Sequence, residues 1–573
     1  MAEPLAGMLE GALTWLAPAL APLLATLLLW RPLRRLRHWL PYLLPLAAAP
    51  ALAVALLAGP GAVDLPGLFL GARFGLDEGS RVFLLFTATL WLAAGVHAAG
   101  YLHDDPRRDA FWLFWLAAMA GNFGLVLAQD AASFYVFFAL MSFASYGLVV
   151  HARTPEALEA GRVYLALVVV GELALFAAIA LAWQAAGSLR LDAIAAALAE
   201  SPQRDAVIAF ALVGFGIKVG ALPLHVWLPL AHPVAPTPAS AVLSGAMIKA
   251  GLLGWMKLLP LGSVAAPAWG QVLIVLGLAA AFAAALVGAT QRQAKAALAY
   301  SSISQMGFVT VAVGVALAVP PAAPAATAAA TLYAFHHAFA KAALFLGVSL
   351  AGAATPRART LWMIGLTLPA LALAGAPLTS GYAAKAALKA ALPPGFEWIA
   401  GALTWAAVGT TLVMLRTLWL LRRDAGGGSA HPPGAAMWAG WGALVVASLL
   451  GWPVVGALVE LWPKSAAAWL GALWPLALGA ALAALVTASR GGRPAAFTVP
   501  PGDLLAPLLA RSRARRPTQP PAYGHHGSEP SAEIAVPVWP RLARAEAALA
   551  SGGGLAMACI GAALAVLLIA LAN

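Results

Sequence analysis

Apolar runs of about 20 residues recur along nearly the whole chain, each bounded by charge, Pro or Gly. None shows the period-2 alternation of an outer-membrane strand, so the pattern predicts an all-α polytopic membrane bundle, in which each segment satisfies its own backbone hydrogen bonds. Windows of about 19 apolar residues place about sixteen spans: 10–30, 39–59, 81–101, 110–129, 132–151, 162–185, 206–223, 237–259, 268–290, 297–319, 327–353, 360–382, 396–421, 436–459, 466–487 and 554–572. One long polar stretch, 488–550, holds Arg511, Arg513, Arg515, Arg516 and the His525-His526 pair. It reads as a cytoplasmic linker before a last helix at 551–573. A short amphipathic helix near 541–549 is an option, and the two histidines are read as a solvated loop rather than a metal site.

Composition agrees with lipid as the solvent. The chain's 573 residues are 62% hydrophobic and 10% charged, with a mean hydropathy of +0.86, which excludes a soluble globular protein. The net charge of +12 does not point to nucleic acid, because the arginines lie in short loops where they set orientation. Arg31, Arg34, Arg35 and Arg37 between the first two spans put that loop in the cytoplasm and the N-terminus outside. Every second loop should then be basic, and Arg107 with Arg108, Arg153 with Arg162, Arg292 with Lys295, Arg357 with Arg359, and Arg422 with Arg423 all fall on that side. The start has no basic n-region, so the first span is expected to be an uncleaved anchor. The single cysteine, Cys559, excludes a disulfide framework, a thiolate zinc site and an iron–sulfur cluster held by this chain alone. No cofactor or metal is expected here, and any redox chemistry belongs to a partner.

The informative residues are charges inside apolar runs. Of 34 basic residues only eight are lysines, nearly all between 218 and 389. Lys218, Lys249, Lys341 and Lys385 sit in or at the ends of spans, where each costs on the order of 2.5–3.5 kcal/mol on the lenient insertion scale and four cost roughly 10 kcal/mol or more. A desolvated lysine can lose and regain its proton near neutral pH while arginine stays charged, which suits a relay; snorkelling or a backbone-carbonyl contact is the plain alternative. Glu172 is the clearest intramembrane acid, with Lys218 the first choice of counter-charge. His225 and His232 follow Lys218. His336 and His337 precede Lys341, and the four-residue spacing puts His337 and Lys341 on one helix face. Pro223 after Lys218, and Pro377 between Gly375 and Gly381 before Lys385, predict helix breaks at membrane depth, which survive only where protein or water satisfies the freed backbone. Breaks in two halves are the sign of a transporter built from inverted repeats.

The run from Lys218-Val-Gly-Ala-Leu-Pro-Leu-His225 through His232, Pro236, Pro238, Ser240 and Ser244-Gly245 to Lys249 resembles the signature of antiporter-like subunits. These are the membrane subunits of complex I, of Mrp cation/proton antiporters and of group 4 membrane-bound hydrogenases. Leu298-Ala-Tyr300 through Gly307, His337 through Lys341 and Ser380-Gly381 through Lys385 look like its later landmarks, in the family's order, over roughly 110–420. The resemblance implies a core of about 14 helices with two inverted five-helix repeats and discontinuous helices, plus extra C-terminal helices. The divisions it suggests are N-terminal helices at 1–109, repeats at 110–259 and 260–425, C-terminal helices at 426–487, the linker at 488–550 and the last helix at 551–573. It further implies a hydrated proton pathway through Lys218, His225, Lys249, His337, Lys341 and Lys385, with Lys218 the lysine that pairs with a glutamate; the reading of the buried charges adds Glu172 and His232 to it. Three positions depart from the pattern: Ala139 stands where the family has a fifth-span glutamate, Leu230 where an acid is expected, and Gln293 where an acid often precedes Lys295. Glu172 is the candidate replacement for the acid missing at Ala139; the alternative is an uncoupled half.

The leading expectation is a proton-translocating subunit of a larger complex in the bacterial inner membrane, driven by a partner redox or ion-transport module. Its expected contacts are other membrane and peripheral subunits, protons and the bilayer. Mrp-type sodium/proton exchange and a non-pumping membrane anchor are the alternatives. A polytopic enzyme is disfavoured, because Asp104-Asp105 and Asp77-Glu78 are isolated acids and Gly214-Phe-Gly216 lacks the preceding strand of a dinucleotide loop. Catalytic chemistry is left to partners such as a complex I-like or hydrogenase-like oxidoreductase.

Overall fold

A computed structural model describes residues 2–29, 39–352, 355–425, 432–456, 465–490 and 499–506. The linker's other residues, the His525-His526 pair, Cys559, the Arg31–Arg37 loop and the expected last helix lie outside them.

The main helices are α1 (Ala2–Ala25), α2 (Leu40–Leu57, built from short pieces), α3 (Glu78–Tyr101), α4 (Arg108–Leu127), α5 (Ala131–Val149), α6 (Pro155–Ala186), α7 (Arg204–Val219), α8 (Trp227–Val234) and α9 (Thr237–Leu258). After them come α10 (Pro267–Thr290), α11 (Ala294–Ala318), α12 (Ala323–Val348), α13 (Pro356–Ala374), α14 (Ser380–Ala390), α15 (Glu397–Asp424), α16 (Ala435–Gly456) and α17 (Ala466–Arg490). Among the described residues, 11 segments are long and apolar enough to cross a membrane. Fewer appear than the sixteen read from hydropathy, for physical reasons. α7 has only 16 residues and α8 continues its path after a break. α12 is long enough but diluted by Thr, His and Lys.

The all-α bundle is observed, with one short hairpin added to it. Gly61–Leu65 (β1) and Ala72–Leu76 (β2) pair antiparallel, Gly61 opposite Leu76 and Leu65 opposite Ala72. The hairpin lies where backbone outside the apolar spans needs partners, and Phe74 bridges onward to Ala128.

Loops gather in two sets. One joins the hairpin to 128–130, 187–192 and the end of α9: the Arg73 amide donates to Asp130 at 2.8 Å, Asp130 bridges Arg190, and Lys257 donates to the Val126 and Ala128 carbonyls at 3.0 and 2.6 Å. At another set, His151 meets Asp105 at 2.8 Å, and Arg107 donates to Ala152. Lys295 reaches Ala235 there at 2.6 Å, and Arg416 reaches Gln291 at 2.9 Å.

α11 is the centre: its apolar window is 100% buried, whereas that of α17 is 11% buried and faces outward. α10 closes on α11 through glycines. A Cβ on Gly277 would meet the Gly307 carbonyl oxygen at 2.7 Å, and one on Gly307 would meet Gly277's at 2.4 Å, so the backbones touch as small-residue packing in lipid requires.

Both halves carry a helix break of one design. α7 ends on Gly220 (φ 77°) and α13 on Gly375 (φ 90°). Ala221 then donates to Gly216 and Ala376 to Leu371, each the 6→1 bond of a Schellman cap. Pro223 and Pro377 follow, and the chain resumes helix at Trp227 and Ser380. The span read as 360–382 is therefore two helices.

Candidate functional site

The first cluster forms where α5, α6 and α7 meet. Lys218, in the last turn of α7, is 3% exposed. Its ammonium donates to the Tyr164 hydroxyl at 3.2 Å and faces the Phe138 and Tyr164 rings at 5.6 and 5.4 Å. Tyr164 donates in turn to the Ser142 carbonyl at 2.8 Å. Glu172, buried on α6, lies within electrostatic reach of Lys218 and beside Ser142, but the two charges form no direct ion pair among the described residues. The expected Glu172/Lys218 pair is thus a gap spanned by field rather than by contact, and the Glu172 carboxyl and the Ser142 hydroxyl lie against each other with no other side-chain partner among the described residues. Ala139 is half-buried on α5, one residue from the Phe138 ring that covers Lys218.

The second cluster surrounds α11. In α9 the turn Leu243–Met247 widens to a π-helix, and the Ser244 carbonyl accepts from the Lys249 ammonium. The same ammonium lies 2.6 Å from His337 Nδ1 on α12. Lys341, one turn along α12, donates to the Leu298 carbonyl at 2.8 Å, which also accepts from Ser302. Since Ser302 uses its proton there, Ser244 must donate in the 2.8 Å contact between the two hydroxyls. His232 is fully buried and stacked on Phe345 at 4.5 Å, with both ring nitrogens unpartnered. It lies within electrostatic reach of Lys295 and Lys341.

The third cluster occupies the break between α13 and α14. His336 Nδ1 meets the Ser380 hydroxyl at 2.7 Å, and Ser380 donates to the Ser448 carbonyl. Lys385 donates to the Leu373 and Ala374 carbonyls, each at 2.9 Å, at the negative end of the α13 dipole. In the first break the Ile217 carbonyl, which also accepts from the Gly220 amide at 3.3 Å, takes the Trp227 indole at 2.7 Å. Beside Lys385 opens a cavity of about 380 Å³, lined in part by Phe308, Gly375, Lys389, Thr404 and Trp474.

Lys249, His337, Lys341, His336, Lys385 and His232 are thus brought into one field: His337 feels Lys249, Lys341 and His336, and His336 feels Lys385. No described hydrogen bond joins this set to Lys218 and Glu172. His225 stands apart, on the segment between α7 and α8, with Nε2 2.9 Å from Asp503. Asp503 belongs to the stretch read as a free linker. Residues 499–506 instead dock on the helices: Gln291 donates to the Val499 carbonyl at 2.9 Å, and Gly502 is buried against Leu230. Burial alone would raise the Asp503 carboxyl, but the hydrogen bond and charge of His225 and the Leu504 amide hold it below the ordinary aspartate value.

Sequence reasoning missed Tyr164, Ser142, Asp503, Lys257 and Lys389. Lys257, eight residues after Lys249, and Lys389, four after Lys385, continue the lysine series, a signal available without coordinates. The others depend on tertiary placement alone.

Residues 128–412 match the family described as NADH:quinone oxidoreductase/Mrp antiporter, transmembrane region. Hydrogenase-4 component B of Escherichia coli (strain K12) is 29% identical over 255 residues, 44% of this chain and 38% of that protein. The chain therefore spans well under half the length of that relative. A chain of the Mrp complex from Dietzia sp. DQ12-45-1b superposes with a TM-score of 0.72 at 25% identity, covering 87% of this chain and 59% of that one. A chain of the membrane-bound sulfane sulfur reductase, an archaeal respiratory membrane complex, superposes at 0.65 with 22% identity, covering 87% and 91%, and shares the fold.

Proposed function

This chain belongs to the antiporter-like membrane-subunit family of NADH:quinone oxidoreductases, Mrp antiporters and membrane-bound hydrogenases, and from that premise we propose that it moves protons as one subunit of a larger complex. Protons step along Glu172, Lys218, Lys249, His337, Lys341 and Lys385, with His225 and His232 as flanking stations. A partner redox or ion-transport module supplies the driving energy. The membrane is the bacterial inner membrane, with the N-terminus outside, on the argument of the basic loops.

The observation that carries this reading is the 2.6 Å approach of Lys249 Nζ to His337 Nδ1 inside a fully buried field of further lysines and histidines. An ammonium cannot accept a hydrogen bond and an imidazole nitrogen can, so the pair holds one transferable proton between two bases. A purely structural polar contact would be met at lower cost by Ser, Thr or Asn.

Lys218→Ala in the complete complex, reconstituted in vesicles with an internal pH dye, tests it. Coupled proton movement is expected to be abolished with assembly intact. Proton movement equal to the unaltered complex would contradict the proposal and favour a membrane anchor. Sodium-for-proton exchange is the second reading, supported by the superposition on the Mrp complex. Against it, Glu172 is the one carboxylate at the first cluster, whereas a sodium site wants several converging oxygens. Sodium-dependent acidification of the vesicles would favour this second reading.

A further inference from the structure

Asp503 reaches the transport core from the far end of the sequence, 278 residues from His225. Three features make its contact with His225 more than a surface ion pair. First, burial is graded: the Asp503 side chain is 16% exposed and that of His225 is 3% exposed, so the carboxylate stands between the ring and water. Second, the ring is used on one side only. Nε2 meets Asp503, while Nδ1 is buried with no hydrogen-bond partner among the described residues. Third, the strap is fitted to its seat. Gly502 has φ 85° and packs on the Leu230 side chain, where an added Cβ would come within 3.0 Å. Gln291 and Thr290 bond Val499 on both its carbonyl and its amide. The Tyr300 hydroxyl lies beside the carboxylate from α11.

The geometry points to Asp503 as a proton-exchange station of the transport route, passing protons between water and His225 at the end of the bundle where the strap docks. This rests on the proton-transport reading above. With Asp503 ionised, Nε2 carries the ring proton. A proton arriving at Nδ1 from the interior releases the Nε2 proton to Asp503, whose carboxyl gives it to water. The ring resets by rotation about its Cβ–Cγ bond, and transfer in the other direction runs the same steps backward. An acid absent from the helix at Leu230 is in effect supplied by the strap that Leu230 seats.

The test uses the complete complex in vesicles. Asp503→Asn is expected to slow proton movement about tenfold, less than the roughly 100-fold of a fully enclosed acid–base group, because water still reaches His225. Asp503→Glu should keep most of the rate. Imidazole buffer on the strap's side should restore Asp503→Asn and leave Lys218→Ala inactive. An unchanged rate in Asp503→Asn, or a slow rate that neither buffer nor Glu restores, overturns the proposal while the Lys218→Ala loss leaves the parent reading standing. Full transport in Lys218→Ala overturns both.

Discussion

Lys218 is held by one hydroxyl and two aromatic faces, an arrangement that stabilises an ammonium without locking it. A direct carboxylate would fix the charge more firmly; the offset of Glu172 leaves the amine free to change partners. Tyr164→Phe removes the one hydrogen bond and keeps the ring. Transport should fall about tenfold, the kinetic equivalent of the ~1.5 kcal/mol at the low end for a bond to a charged group. Initial rates in vesicles check it, and an unchanged rate would show that the ring alone suffices. The burial of the lysines, of the histidines and of Glu172 was legible because Lys, His and Glu are conspicuous in an apolar run. Tyr164 and Ser142 were not, since Tyr and Ser are ordinary in such helices and only the packing of α5, α6 and α7 brings them to Lys218.

At the scale of elements, the two breaks are the same Schellman cap used with different partners. Prolines mark the breaks in the sequence, but the turn itself is made by a glycine in the left-handed region, and carbonyls beside each cap take the side-chain donor that packs nearby: an indole on Ile217 at α7, an ammonium on Leu373 and Ala374 at α13. Gly375→Ala forces an L-residue to φ 90° and places a Cβ 2.9 Å from Lys385 Cδ. The expected outcome is about 1–2 kcal/mol of lost stability and loss of transport, read by thermal unfolding of the purified complex and by vesicle assays. A variant of full activity would separate Lys385 from the break. The hairpin at 61–76 escaped the sequence reading because strands of five residues outside the membrane carry no long apolar signature.

For the whole molecule, buried lysines and histidines of α9, α12 and α14 gather around α11, while α6, α10 and α17 turn Leu, Val and Phe outward. The apolar spans were legible from hydropathy. The docking of 499–506 was not, because contacts between residues almost 300 positions apart leave no local pattern. The account stands on these lysines exchanging protons rather than merely being positive, and arginine separates the two: it keeps the charge and cannot release its proton. Proton movement in vesicles carrying the complete complex should therefore be lost in each of Lys218→Arg, Lys249→Arg, Lys341→Arg and Lys385→Arg while the complex still assembles. Full transport in all four would contradict the account.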